Sequence, residues 1–198
     1  MRLADRLTGL EVTSCQKEEL PPSFELEITR MDKFTFMLRA SQLLPIPPEE
    51  AFKFFEDPGN LSAITPAWLD FKMVAGGRKE TEVFEGAEFD YTIKWLGRTL
   101  PWRSRIEDYR PSYWFRDVQV SGPYVLWNHL HVFERLPEGT FLKDEVTYRL
   151  PRRLLGRWLH KRIVKRQLED IFCYRALKIA AWASGRKGSA AEVEKPAP

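Results

Sequence analysis

Val125-Leu126-Trp127-Asn128-His129-Leu130-His131-Val132-Phe133 is the stretch on which the reading of this chain turns. Successive side chains of a strand point to opposite faces. As a strand, the run puts Trp127, His129, His131 and Phe133 on one face and Leu126, Asn128, Leu130 and Val132 on the other. Two of the chain's three histidines then stand side by side among large rings. A face of that kind is either the floor of a pocket or a polar strip inside a core.

The segments on either side supply the rest of a sheet. Lys33 to Leu44 reads as a strand, and Pro47-Pro48-Glu49-Glu50 reads as a helix start, because proline and acids both suit a first helical turn. That helix runs to Asp57, and Asn60 to Ile64 is a second short helical piece. Trp68 to Ala75 reads as a strand, and Lys79 to Glu85 is ambiguous. Ala87 to Leu96 alternates cleanly, with Phe89, Tyr91, Ile93 and Trp95 on one side. Gly97-Arg98 is a two-residue hairpin signal, after which Thr99 to Tyr109 returns with Trp102, Ser104 and Ile106 on one face. Tyr113 to Val120 puts Phe115, Asp117 and Gln119 together, and Thr140 to Leu150 does the same for Leu142, Asp144, Val146 and Tyr148. From Arg152 to about Trp182 the apolar residues follow helical spacing.

This order predicts an α+β fold: a curved antiparallel sheet of six to seven strands wrapped around one long C-terminal helix, with two short helices after the first strand. Residues 1–32 read as a poorly structured extension, 33–183 as the domain and 184–198 as a disordered tail.

Phe55 to Phe71 (FEDPGNLSAITPAWLDF), Gly86 to Tyr91, Gly122-Pro123-Tyr124 leading into the histidine strand, and Tyr148-Arg149-Leu150-Pro151 carry a resemblance. With the element order, they resemble the SRPBCC (START/Bet v 1-like, helix-grip) superfamily over about Phe34 to Trp182. Within it, the pattern is most similar to bacterial ligand-binding proteins related to the polyketide cyclase/dehydrase and coenzyme-Q-binding START groups. The resemblance implies a hydrophobic cavity between sheet and helix that takes a small apolar or aromatic ligand. It implies little about chemistry, because one fold hosts many functions.

Hairpin arithmetic places side chains in that cavity. With Gly97-Arg98 as the loop, Ile93 faces Trp102 and Tyr91 faces Ser104. Closure around Arg110-Pro111 sets Ser104 near Asp117 and Trp102 near Gln119. Closure around Pro137-Glu138 sets His131 near Asp144 and His129 near Val146. Around Gly122-Pro123, Asp117 meets His129 and Gln119 meets Trp127, and a one-residue slip there would part them. The ligand-lining candidates are Phe89, Tyr91, Ile93, Trp102, Ser104, Phe115, Asp117, Gln119, Trp127, His129 and His131.

Three readings of the polar cluster stay open: a hydrogen-bonded network bracing the sheet, groups that orient a mostly apolar ligand, or a His–Asp acid–base pair. The last would make the chain a cyclase/dehydratase-type enzyme using His129 or His131 with Asp117 or Asp144. No nucleophile motif accompanies Ser104. Two histidines and one carboxylate could also chelate a metal, but rings crowd the site. Neither a metal nor a cofactor is expected.

Composition narrows the partners. A net charge of +3 is too mild to argue for nucleic acid, and no recognition motif accompanies it. Arg152, Arg153, Arg157, Lys161, Arg162, Lys165 and Arg166 form a run without acids. This is a solvated helix face or a transient contact for a membrane surface or acidic partner. Phe55 to Trp68 reads as a gate over the cavity or an ordinary loop. No apolar run reaches the ~18 residues of a membrane span. Cys15 and Cys173 are expected as free thiols in a cytoplasmic protein, either a monomer or a homodimer.

Overall fold

The computed structural model describes residues 19–74, 83–95, 97–151 and 163–193, with side chains described up to residue 186. Its strands are β1 (Glu25–Arg30), β2 (Thr35–Leu44), β3 (Lys72–Met73), β4 (Glu88–Trp95), β5 (Arg98–Arg110), β6 (Trp114–Ser121), β7 (Leu126–Leu136) and β8 (Gly139–Arg149). The helices are α1 (Pro48–Glu56), α2 (Asn60–Ala63) and α3 (Lys165–Val193). One open antiparallel sheet has the order β1-β2-β8-β7-β6-β5-β4-β3. The fold is α+β, as expected, with β7 near the middle of the sheet.

The differences from expectation have local causes. The sheet has eight strands, because Glu25–Arg30 pairs with β2 inside the stretch read as a poorly structured extension. Phe24-Glu25-Leu26-Glu27-Ile28 alternates with period two, and Leu26 and Ile28 pack on the β2–β8 core. The strand expected at Trp68 to Ala75 shrinks to two residues. Ala67–Leu69 forms a turn of 3-10 helix, and Asp70 follows in the left-handed region (φ 44°), which ends any extended run. Residues 75–82, with most of the ambiguous Lys79–Glu85 segment, lie outside the described residues.

The long helix is described over Lys165–Val193, and its expected start at Arg152 falls in residues 152–162, which lie outside the described ones with Arg152, Arg153, Arg157, Lys161 and Arg162. It runs to Val193, past the boundary expected at 184. Cys173 is buried on α3 and disulfide-bonded, so the free-thiol expectation is corrected, and with it one argument for a reducing compartment. The sequence has one other cysteine, Cys15, outside the described residues. No described helix is long and apolar enough to cross a membrane.

Two apolar clusters hold the layers. In one, Phe52 of α1 sits among Tyr109, Phe115 and Phe133, with ring centroids 5.7, 5.8 and 5.1 Å away. Burying a side chain of that size stabilises the fold by about 1.5–3 kcal/mol. The other joins Phe36, Leu38, Val146 and Tyr148 of the sheet to Val164, just before α3, and to Leu168 and Phe172 in its first turns. The indole N–H of Trp95 donates to Gln167 Oε1 (2.8 Å), pinning β4 to the same helix. The space between these two anchorages is where the sheet and the helix leave room.

Candidate functional site

The register of β7 decides what enters that space. His131 stands opposite Asp144 and His129 opposite Val146, as the turn at Pro137-Glu138 requires. Asp117 of β6 stands opposite His129, so the uncertain turn at Gly122-Pro123 keeps the face-preserving register. Two other hairpins are shifted by two residues from expectation. Tyr91 pairs with Trp102 and Phe89 with Ser104, because β5 already begins at Arg98 and Gly97 (φ 76°) supplies the turn. Ser104 pairs with Gln119 and Ile106 with Asp117, because β5 carries irregularities at Arg103/Ser104 and Glu107/Arg110. A shift of two leaves every side chain on its face.

At the centre of the site, Asp144 Oδ1 lies 2.8 Å from His129 Nε2 and 2.8 Å from His131 Nδ1. The first contact is a hydrogen bond; the second lacks hydrogen-bond alignment and leaves Nδ1 of His131 without a partner. All three residues are buried. The two imidazoles are 3.8 Å apart, and His131 also stacks on Phe115 at 4.4 Å. Burial, reinforced by the neighbouring His131, pushes His129 down to about 3. Burial alone would raise Asp144, but its contacts with both histidines more than offset this and hold it well below the usual carboxylate range. The resulting state at neutral pH is a neutral His129 against an ionised Asp144.

A second polar knot lies beside the first. Ser104 Oγ is 3.0 Å from the Tyr91 hydroxyl and accepts from the Trp102 indole at 3.2 Å. Burial raises Asp117, and its Oδ1 is left with no partner. Tyr91 is pushed well above its ordinary value by burial and by Asp117.

Two cavity lobes meet at these knots. The larger, about 110 Å³, is lined by Trp68, Phe71, Ile93, Trp95, Trp102, Tyr124 and Trp127, and by Leu168 and Phe172 of α3. The smaller, about 90 Å³, is lined by Phe54, Phe55, Phe89, Ser104, Ile106, Phe115 and His131. Leu61, Tyr91, Asp117, His129 and Arg175 line both. Each lobe is below the ~300 Å³ of an ordinary ligand site. Phe55, Leu61 and Trp68 place the segment read as a gate in the cavity wall.

Ten of the eleven ligand-lining candidates border one lobe or the other. Gln119 does not. Its side-chain amide donates to the Tyr124 carbonyl (2.8 Å) and accepts from the Tyr124 N–H (3.2 Å), so it is spent on closing the β6–β7 turn. Sequence reasoning missed Arg175, whose guanidinium borders both lobes and lies 5.0 Å from the Phe172 ring. The signal was present: Phe172, Arg175 and Ile179 share one helix face, so a cation interrupts an apolar stripe.

His129, His131 and Asp144 are also the described group that could hold a metal ion, with donor atoms all within 4.8 Å of one another. Asp144, rather than Asp117, completes the two-His-one-carboxylate set, which suits a divalent ion such as iron.

Comparison with known proteins gives the class first. An eight-stranded antiparallel sheet gripping a long C-terminal helix is the helix-grip fold of SRPBCC type. The chain is similar to a START superfamily protein from Mycobacterium smegmatis (10% identity, 76% of this chain and 98% of that one, TM-score 0.55). It is similar to the di-domain ARO/CYC StfQ from the steffimycin biosynthetic pathway (14% identity, 79% and 53%, TM-score 0.58). It is similar to Ara h 8.0201 (15% identity, 76% and 99%, TM-score 0.51). At such identities the likeness establishes the fold alone. No family model and no curated protein sequence matches the chain.

Proposed function

We propose that the chain is a binding or carrier module for a compact hydrophobic or aromatic molecule held between sheet and helix. One observation carries this reading: two ring-lined lobes share a wall with a few converging polar groups, which is how ligand pockets combine affinity with orientation. The small volumes favour a ring system of polyketide-like character over a long lipid or quinone tail. START and ARO/CYC proteins among the structural neighbours support such use of the fold. A fluorescent apolar dye titrated into the purified protein, with native mass spectrometry of co-purifying small molecules, tests it. Saturable binding weakened by Trp127→Ala supports the proposal; no co-purifying molecule and no dye binding removes it.

The second reading, a cyclase/dehydratase-type enzyme, rests on the hydrogen-bonded His129–Asp144 pair. General acid–base work is most effective when the group titrates near the working pH. An imidazole held down to about 3 is a weak base, so this geometry favours orientation over proton transfer. The basic run from Arg152 to Arg166 would then serve delivery to an anionic surface. Within it, Lys165 pairs with Glu169 (3.6 Å) and Arg166 is exposed.

A further inference from the structure

Arg175 enters the cavity from α3, a cation among rings. Its Nε is buried without a hydrogen-bond partner, and among the described residues no ion pair reaches its guanidinium. Arginine does not escape this cost by losing its proton. Buried polar groups are otherwise almost always satisfied, so an exception asks for a missing partner. Asp117 Oδ1, bordering the same two lobes, is also unpaired. Tyr91 is engaged with Ser104 and His129 with Asp144, while His131 Nδ1, unaligned for a hydrogen bond, lies 2.8 Å from Asp144 Oδ1 and borders the smaller lobe alone. At the residues shared by both lobes, the Arg175 donor and Asp117 Oδ1 are thus left over, with apolar walls on both sides.

Resting on the proposed binding role, we infer that the ligand is an aromatic acid whose carboxylate or phenolate oxygen sits at the junction of the lobes and accepts from Arg175. The ring body fills the lobe of Trp102 and Trp127, and a small apolar substituent reaches towards Phe89 and Phe115. A guanidinium suits such an oxygen because its donors form a planar fork that matches a carboxylate. Asp117 Oδ1 would bond a ligand hydroxyl next to the acid, so a hydroxy-aryl acid uses both free atoms.

The test compares 2-naphthoate with the neutral 2-naphthalenemethanol by fluorescence titration of the full chain. The acid should bind about ten- to a hundredfold more tightly, the range of a hydrogen bond to a charged group. Arg175→Met should erase that preference while the alcohol still binds, and Arg175→Lys should keep part of it. Saturable binding of the alcohol, with a native circular dichroism spectrum, shows that the variant has kept its cavity. Equal affinity for acid and alcohol in the parent chain overturns the inference and leaves the binding role standing. So does a preference that survives in Arg175→Met. If Arg175→Met does not fold, Arg175→Lys decides: full retention of the preference with the fork removed counts against the inference. Binding of neither compound overturns both readings.

Discussion

His129 and Asp144 are joined by a 2.8 Å hydrogen bond although they are not cross-strand partners. Asp144 faces His131 directly, and the bond to His129 runs diagonally to the next residue on the same face of β7. The direct neighbour is equally near but poorly aligned, so the carboxylate is held by the diagonal imidazole. Breaking a buried pair by removing one partner costs about 3–5 kcal/mol. Asp144→Ala should lower the unfolding free energy by about that amount in urea titration. Asp144→Asn should cost less, because its amide oxygen still accepts from His129. Equal, small losses in the two variants would show that the pair contributes little.

The same pair sets a pH dependence. The unfolded chain protonates His129 near 6.5, but the folded chain holds it down to about 3. Between those values the unfolded state binds more protons, so stability falls as pH falls from about 6.5. Asp144, also held low, gives the same sign below the usual carboxylate range. Asp117 is raised, so its contribution has the opposite sign. The expected result is a thermal midpoint that drops steadily from pH 7 to pH 4, with a shallower slope in His129→Gln. A flat profile in the parent chain would contradict the assignment of a neutral buried imidazole.

Ser104 is a shared anchor, and its loss should be felt by two partners. Ser104→Ala leaves the Tyr91 hydroxyl and the Trp102 indole each short of one hydrogen bond. Each buried group so stranded costs about 1–3 kcal/mol. The variant should lose at least that much stability, and its tryptophan emission should shift as the Trp102 indole N–H loses its acceptor. An unshifted spectrum would show that the bond is weak in solution.

Gly139 opens β8 at φ 139°, and a Cβ there would lie 2.1 Å from the Leu44 carbonyl oxygen. Gly139→Ala combines backbone strain with a clash against main chain, costing about 3 kcal/mol or more. Gly86, at φ 85° with open space around it, is the control: Gly86→Ala should cost only about 1–2 kcal/mol. Chemical denaturation of the two variants should separate them clearly; comparable losses would contradict the close approach at Gly139.

Much of the site could be read from parity. Once a strand face is chosen, turn closure can slip by two residues without harm, as the β4–β5 and β5–β6 hairpins do. What parity cannot show is where a polar side chain spends its hydrogen bonds, which is why Gln119 lies on the expected strand but serves the turn. Nor can it distinguish an apolar stripe that excludes a charge from one that admits it. Arg175 sits at a core position of α3, where a cation would ordinarily be assigned to solvent. β1 was hidden for another reason: it is an edge strand with charged outward residues, and such residues protect an edge while disguising it as a tail.

The pairing of β2 with β8 also sets a timetable. Thr35 waits for Arg149, 114 residues later, to complete the middle of the sheet. At the pace of a ribosome that interval is roughly 6–23 s. When β7 is complete at Leu136 the β4–β7 meander can close on local turns, but Asp144 and Arg175 have not yet emerged. The newborn chain therefore carries an imidazole strand with neither its anion nor its roof, and the last stretch translated determines when this surface is hidden from other chains.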